Sequence, residues 1–236
     1  MVLNCLDINY MPTITIKINL KKDVWNYWHA CNNSSHGVDW KQKIDEKHWS
    51  HIIGKTEAEA YTYLKPILEE LYQKLDLETV VSSLQLGFDK NKDRLFEIME
   101  ELTGNKIYRN DFTCFLTTIK RCPYSFDNGY VWLVADDSID RNLMTFIHEL
   151  SHFQFFAYFG ENIWDQVSRE QYEYIKESLT VILNGPFTEI TNDIDNGYEI
   201  HKNLREAMIA HWQKHHDLQK LCDKSVELVK DKKYFK

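Results

Sequence analysis

Apolar and polar residues alternate from Thr13 to Leu20 (TITIKINL), the two-residue period of a half-buried strand. From Thr56 to Leu75 the period lengthens. Ala60, Tyr63, Leu64, Leu68, Leu71 and Leu75 recur at helical spacing, with Thr56 as N-cap and a kink or break expected at Pro66. Val80 to Phe88 reads as a further strand, and Lys90 to Leu102 as a helix ending at Gly104. The β-formers of Asp111 to Lys120, the turn-rich run Arg121 to Gly129 and the apolar stretch Tyr130 to Ala135 predict two strands paired antiparallel. Asp136, Asp137 and Ser138 offer caps for a helix over Ile139 to Phe159, closed by Gly160. That helix is apolar almost all round and therefore belongs in the interior. A helix from Val167 to Leu183, stopped by Gly185 and Pro186, and a charged, kinked or interrupted helical stretch from Glu199 to Lys230 complete the chain. Strands come mostly first and helices later. The expected class is α+β: a small antiparallel or mixed sheet packed on a buried helix, with a helical C-terminal part, in a single domain over 1–236.

One segment has no clear period. Residues 21–55 hold Trp25, Trp28, Trp40 and Trp49 together with His29, His36, His48 and His51. Indoles bury large areas, so this stretch is expected to wrap the body of the protein. The histidine spacing fits no metal-ligand pattern, and these residues read as scattered surface or capping groups.

Composition narrows the function classes. Apolar residues make up 43% of the 236, which is enough to bury a core and excludes a disordered chain. Twenty-eight basic against 36 acidic residues give a net charge of −8, with no basic footprint for nucleic acid. The apolar stretches are interrupted well short of the ~20 residues that span a bilayer. The opening Met1 to Tyr10 lacks a basic n-region and carries Asp7, so it does not read as a signal peptide. Cys5, Cys31, Cys114, Cys122 and Cys222 include no CxxC pair and read as reduced, structural thiols, which suggests a cytoplasmic location.

The chemistry sits inside the apolar helix, as His148-Glu149-Leu150-Ser151-His152. A helix turns about 100° per residue, so the two histidines share one face, one turn apart, and can bind the same Zn²⁺. Glu149 lies beside that face, placed as general base toward a zinc-activated water. The metzincin extension would need Gly and His where this chain has Phe155 and Tyr158, so a carboxylate from the next helix is expected to complete a His₂Glu site with one zinc per chain. Glu173 and Glu177 are one turn apart there. Glu177 is favoured, because it leads into the apolar run Leu179, Val181, Ile182, Leu183, where a carboxylate is costly to bury without a cation. Tyr158, Tyr172, Tyr198 and His201 are candidate donors to an oxyanion, and His211, His215 and His216 read as a solvated face.

Thr145-Phe-Ile-His148-Glu149-Leu-Ser-His152 resembles the zinc helix of thermolysin-type enzymes, and Glu177-Ser-Leu-Thr180 is similar to the Glu-Gly-(Leu/Phe)-Thr element of the aminopeptidase N family. Together they resemble the gluzincin clan of zinc metallopeptidases, over Tyr130 to Asn184. The resemblance implies a zincin-like fold, His148, His152 and Glu177 as ligands, Glu149 as general base, and an edge strand, Tyr130, Trp132 and Val134, holding an extended peptide or protein substrate. Ser178 stands in place of the usual glycine, and Val181 stands where a thermolysin-like chain has a supporting acid. The expected function is peptide-bond hydrolysis by a cytoplasmic zinc metallopeptidase. The alternatives are a different zinc amide hydrolase and a non-enzymatic peptide-binding or scaffold protein with a structural metal. Neither Cys114 nor Cys122 has the Gly-Cys-Leu context of a deformylase-like ligand.

Overall fold

The computed structural model describes residues 11–235. Strand β1 (Thr13–Lys17) leads into α1 (Leu20–Asn32), capped by the Asn19 side chain. A short hairpin, β2 (Ser34–Ser35) and β3 (Val38–Asp39), and the turn of helix α2 (Trp49–Ile52) precede α3 (Glu57–Leu75) and α4 (Leu77–Thr103). Strands β4 (Asp111–Thr117), β5 (Tyr124–Ser125) and β6 (Tyr130–Val134) follow. The rest is helical: α5 (Ile139–Tyr158), α6 (Gly160–Trp164), α7 (Arg169–Leu179), α8 (Lys202–His215) and α9 (Leu218–Leu228). The class is α+β. Among the described residues no helix is long and apolar enough to cross a membrane.

The four-stranded sheet has the order β1-β4-β6-β5. Its register explains which side chains go where. Phe112, Cys114 and Leu116 of β4 alternate onto the face that also carries Ile14, Ile16, Val131 and Leu133, and this face is covered by α4 and α5. Phe115, Tyr130 and Trp132 point to the other face, where α1 brings Lys22 over all three rings and Trp25 against Trp132. Phe146 of α5 sits in the middle of the first face, edge-on to Phe88, Phe96 and Phe112. Two further clusters flank the sheet, one of α1 with α3 and one of α7, α8 and α9.

Several expected elements change. Val80 to Phe88 is no strand but part of the 27-residue α4. Leu77, Leu84, Phe88 and Leu95 keep helical spacing across Gly87, where a side chain would meet Ile139. Close approach to α5, and not a break, accounts for that glycine. Strands β4 and β6 pair parallel, Cys114 opposite Val131, because the intervening chain turns back through β5, which is itself antiparallel to β6. Pro66 lies inside an uninterrupted α3, whose Thr56–Glu59 capping box satisfies its first turn. Helix α7 stops at Leu179 and passes into a 3₁₀ segment, Thr180–Asn184. The long C-terminal helix is interrupted at His216, whose φ of 46° ends α8 before Asp217 caps α9. Strand β6 is also no edge. β5 covers its first half, Trp132 N–H donates to the Pro123 carbonyl, and Asn142 of α5 bonds both backbone groups of Val134. A substrate strand cannot add there.

Cys31, Cys114 and Cys222 are buried free thiols and Cys122 is half-buried, while Cys5 and the opening segment lie outside the described residues.

Candidate metal centre

Helix α5 carries His148, Glu149 and His152 from the sheet toward a cleft of about 740 Å³, and α7 faces it with Glu177. The two imidazoles stand edge to face with ring centres 4.5 Å apart. Both Nε2 atoms converge on the same carboxylate: His148 Nε2 is 3.5 Å from Glu177 Oε2, and His152 Nε2 is 3.3 Å from Glu177 Oε1. One donor atom from each of these three residues lies within 4.8 Å of the others. His152 is 1% exposed, and its Nε2 has no aligned hydrogen-bond partner. A buried nitrogen left this way costs free energy unless something else engages it. Burial holds the His152 pKa down to about 3, so the ring is neutral and its lone pair is free. The donor set fits Zn²⁺, which takes neutral imidazole and carboxylate in three protein positions and leaves a fourth open.

The support for His148 comes from a residue that the sequence left unassigned. Its Nδ1 is 3.3 Å from Asp195 Oδ1, a contact that orients the ring with Nε2 toward Glu177. Although burial opposes the charge, Asp195 and Glu177 raise the His148 pKa well above its ordinary value. Asp195 is in turn held by Arg205, whose guanidinium reaches Asp195 Oδ2 at 3.2 Å and Thr180 Oγ1 at 2.6 Å. Although burial opposes the charged form, His148 and Arg205 keep the Asp195 carboxyl well below its ordinary range. Gly197, at φ 64°, gives Arg205 its room, since a Cβ there would fall 2.6 Å from the guanidinium carbon. Asp195 sits in an irregular loop, where no periodicity could have marked it.

Lys176 is the other unforeseen member. Only 3% exposed, its Nζ lies 2.7 Å from Glu173 Oε2, 2.8 Å from the Tyr124 hydroxyl and 3.1 Å from Glu177 Oε1. Burial opposes its charge, but Glu177, Tyr124 and Glu173 together raise its pKa well above the ordinary value. Glu173 is thus engaged with Lys176 at the exposed end of the cluster. It shares a second potential metal set with His36 and Glu177, not with His148 and His152. Glu149 is buried at 6% exposure, with Oε2 unpartnered, and burial pushes its pKa up to about 8.

The remaining candidates separate by position. His36, read from sequence as a surface group, lines the cleft with Nε2 3.8 Å from Glu177 Oε1 and its ring stacked on Tyr198 at 4.8 Å. His201 is buried behind them, edge-on to Tyr174 and His36. Tyr158 donates to the Lys106 carbonyl on the outside of α5, and Tyr172 packs into the C-terminal helical cluster, so neither lines the cleft. His29 contacts Arg121, and His48 and His51 pack on Tyr63. His211 and His215 lie side by side on α8 and form no metal set with a third donor among the described residues. Of the three residues expected on a substrate-binding edge, only Val134 lines the cleft. Tyr130 and Trp132 face α1.

No protein-family model matches this chain, and no curated protein or solved structure shows significant similarity to it.

Proposed function

We propose that the protein is a zinc-dependent metallopeptidase with a gluzincin-like centre on a zincin-like fold, hydrolysing peptide bonds. The observation that carries this reading is the convergence of two imidazole Nε2 atoms, the His152 one buried and the His148 one half-buried, on one carboxylate, with a second, unpartnered carboxylate beside them. His148, His152 and Glu177 would hold the zinc. When bound, that ion supplies a Lewis acid that lowers the pKa of water and polarises a carbonyl.

The chain's own residues supply the rest. Glu149 takes a proton from the attacking water and delivers it to the departing amine, and its unpartnered Oε2 is the atom free to do so. Asp195 orients His148 so that Nε2 faces Glu177, and Lys176 holds the Glu177 carboxylate through Oε1. His36 and Tyr198, stacked on the cleft wall beside Glu177, are placed to donate to a developing oxyanion. Because β6 has no free edge, the substrate lies in the open cleft, between α5 and the segments around His36, Cys122 and Tyr198.

The test is metal analysis and peptide-library cleavage by the full chain and its Glu149→Gln variant. Expected are about one zinc per chain in both, with cleavage in the parent and a loss of at least 10²–10⁴-fold in the variant. A protein that takes up no zinc from a zinc-containing buffer, or a variant with undiminished cleavage, overturns the reading.

A further inference from the structure

Five cationic side chains line the cleft, and their partners differ. Lys120 pairs with Asp137 at 3.3 Å, Arg141 with Asp193 at 3.6 Å, and Lys176 with Glu173 and Glu177. Lys43 is exposed, so water solvates its charge. Arg121 differs from all four. It is half-buried, and no carboxylate among the described residues reaches it. Buried charges in proteins are normally paired, because desolvation is expensive.

The guanidinium is held, but only by neutral groups. One nitrogen, Nη1, donates to Asn26 Oδ1 at 2.5 Å and Nη2 lies 2.9 Å from His29 Nδ1, with the indoles of Trp25 and Trp40 each 5.8 Å away. Asn26 is itself fully buried and fixed by Thr117 Oγ1 and the Arg121 carbonyl. Burial and Arg121 both hold the His29 pKa down, so that ring accepts and adds no charge. This cage orients the fork and leaves its positive charge uncancelled. Two of its five N–H donors are engaged, and the rest remain for a ligand. From there a line of contacts runs through Trp40, Tyr198 and His36 to Glu177, placing the cation in the same cleft as the zinc residues.

We infer that Arg121 is a specificity-determining residue that binds a carboxylate of the substrate. The planar fork suits a carboxylate bidentately, and flanking indoles limit competing water. The ligand carboxylate has two sources, an Asp or Glu side chain or a free peptide C-terminus, and Arg121 recognises the group they share. The inference deepens the metallopeptidase reading and rests on it for the word substrate.

Binding separates the two. Zinc-loaded Glu149→Gln protein is titrated calorimetrically with three blocked peptides of one apolar sequence: one with an internal Glu and an amidated end, one with a free C-terminal carboxylate, and one neutral and amidated. Expected is at least tenfold tighter binding of one carboxylate peptide than of the neutral one, with the tighter arm naming the source. Adding Arg121→Gln should abolish that preference, and Arg121→Lys should restore part of it. Equal binding of all three by the Arg121 protein overturns the inference without recourse to any variant, as does a preference that survives Arg121→Gln in a folded protein. Absence of cleavage by the parent protein, with Glu149 intact, alongside a preserved preference would remove the peptidase reading and leave Arg121 a carboxylate site.

Discussion

Two buried carboxylates sit on opposite sides of the sheet, and they are treated in opposite ways. Asp23 of α1 is fully buried, and both of its oxygens are occupied: Oδ1 by Thr117 Oγ1 and the Thr118 backbone N–H, Oδ2 by the hydroxyls of Thr118 and Tyr72. The donors come from Tyr72 of α3, Thr117 at the end of β4 and Thr118 just after it, so the knot ties α1 and α3 to the end of that strand. The Glu177 cluster is as deeply buried, yet it leaves Glu149 Oε2 and His152 Nε2 without partners and crowds two imidazoles and an ammonium around one carboxylate. A polar group buried for structure is satisfied by the fold. One buried for chemistry is left incomplete, and the fold carries the cost.

The comparison predicts that the two clusters fail differently. The largest effect belongs to Glu177→Ala, which should lose stoichiometric zinc and all cleavage, whereas Glu173→Ala should keep most of both, since Glu173 contacts Lys176 and neither of the two imidazoles. Metal content of the two purified variants decides it. Zinc retained in Glu177→Ala and lost in Glu173→Ala would move the ligand one turn back along α7. A smaller effect is expected from Asp195→Asn, which keeps the shape beside His148 Nδ1 and removes the charge. Zinc affinity, read by chelator competition, should fall by about 10–100-fold. An unchanged affinity would reduce Asp195 to a partner of Arg205 alone.

What the sequence made legible was local. The four-residue spacing of His148 and His152 gives those two side chains one direction, because a helix converts spacing into direction. Glu177 is favoured over Glu173 by its apolar surroundings and its resemblance to a known ligand element, and the three lie together in the structure. Much of the helix and strand content was equally readable. What escaped needed long-range information. Val80 to Phe88 looks extended in isolation and is helical only as the middle of α4, and the parallel pairing of β4 and β6 follows from a crossover that no local pattern encodes. Asp195, Lys176, His36 and Arg121 reach the cleft from three loops and one helix, at spacings that tertiary structure alone brings together. Residues supplied by loops carry no period to read.

The smallest effect tests the closed knot. Asp23→Asn puts an amide N–H₂ where one oxygen now faces two donors, and the fold should lose about 1–3 kcal/mol with zinc content unchanged. Its pH dependence says which force governs the knot. Burial raises the Asp23 pKa above the ordinary 3.8, against hydrogen bonds from Thr117, Thr118 and Tyr72 that lower it. The folded state therefore binds this proton more tightly than the unfolded chain. The stability it contributes is complete below pH 3.8 and is lost as pH rises through the raised value. Asparagine does not titrate. Denaturant unfolding of both proteins across a pH series should show the parent's advantage widest on the acid side and narrowing toward neutrality. An advantage that grows with pH would mean that the hydroxyl cage outweighs desolvation and holds Asp23 ionised.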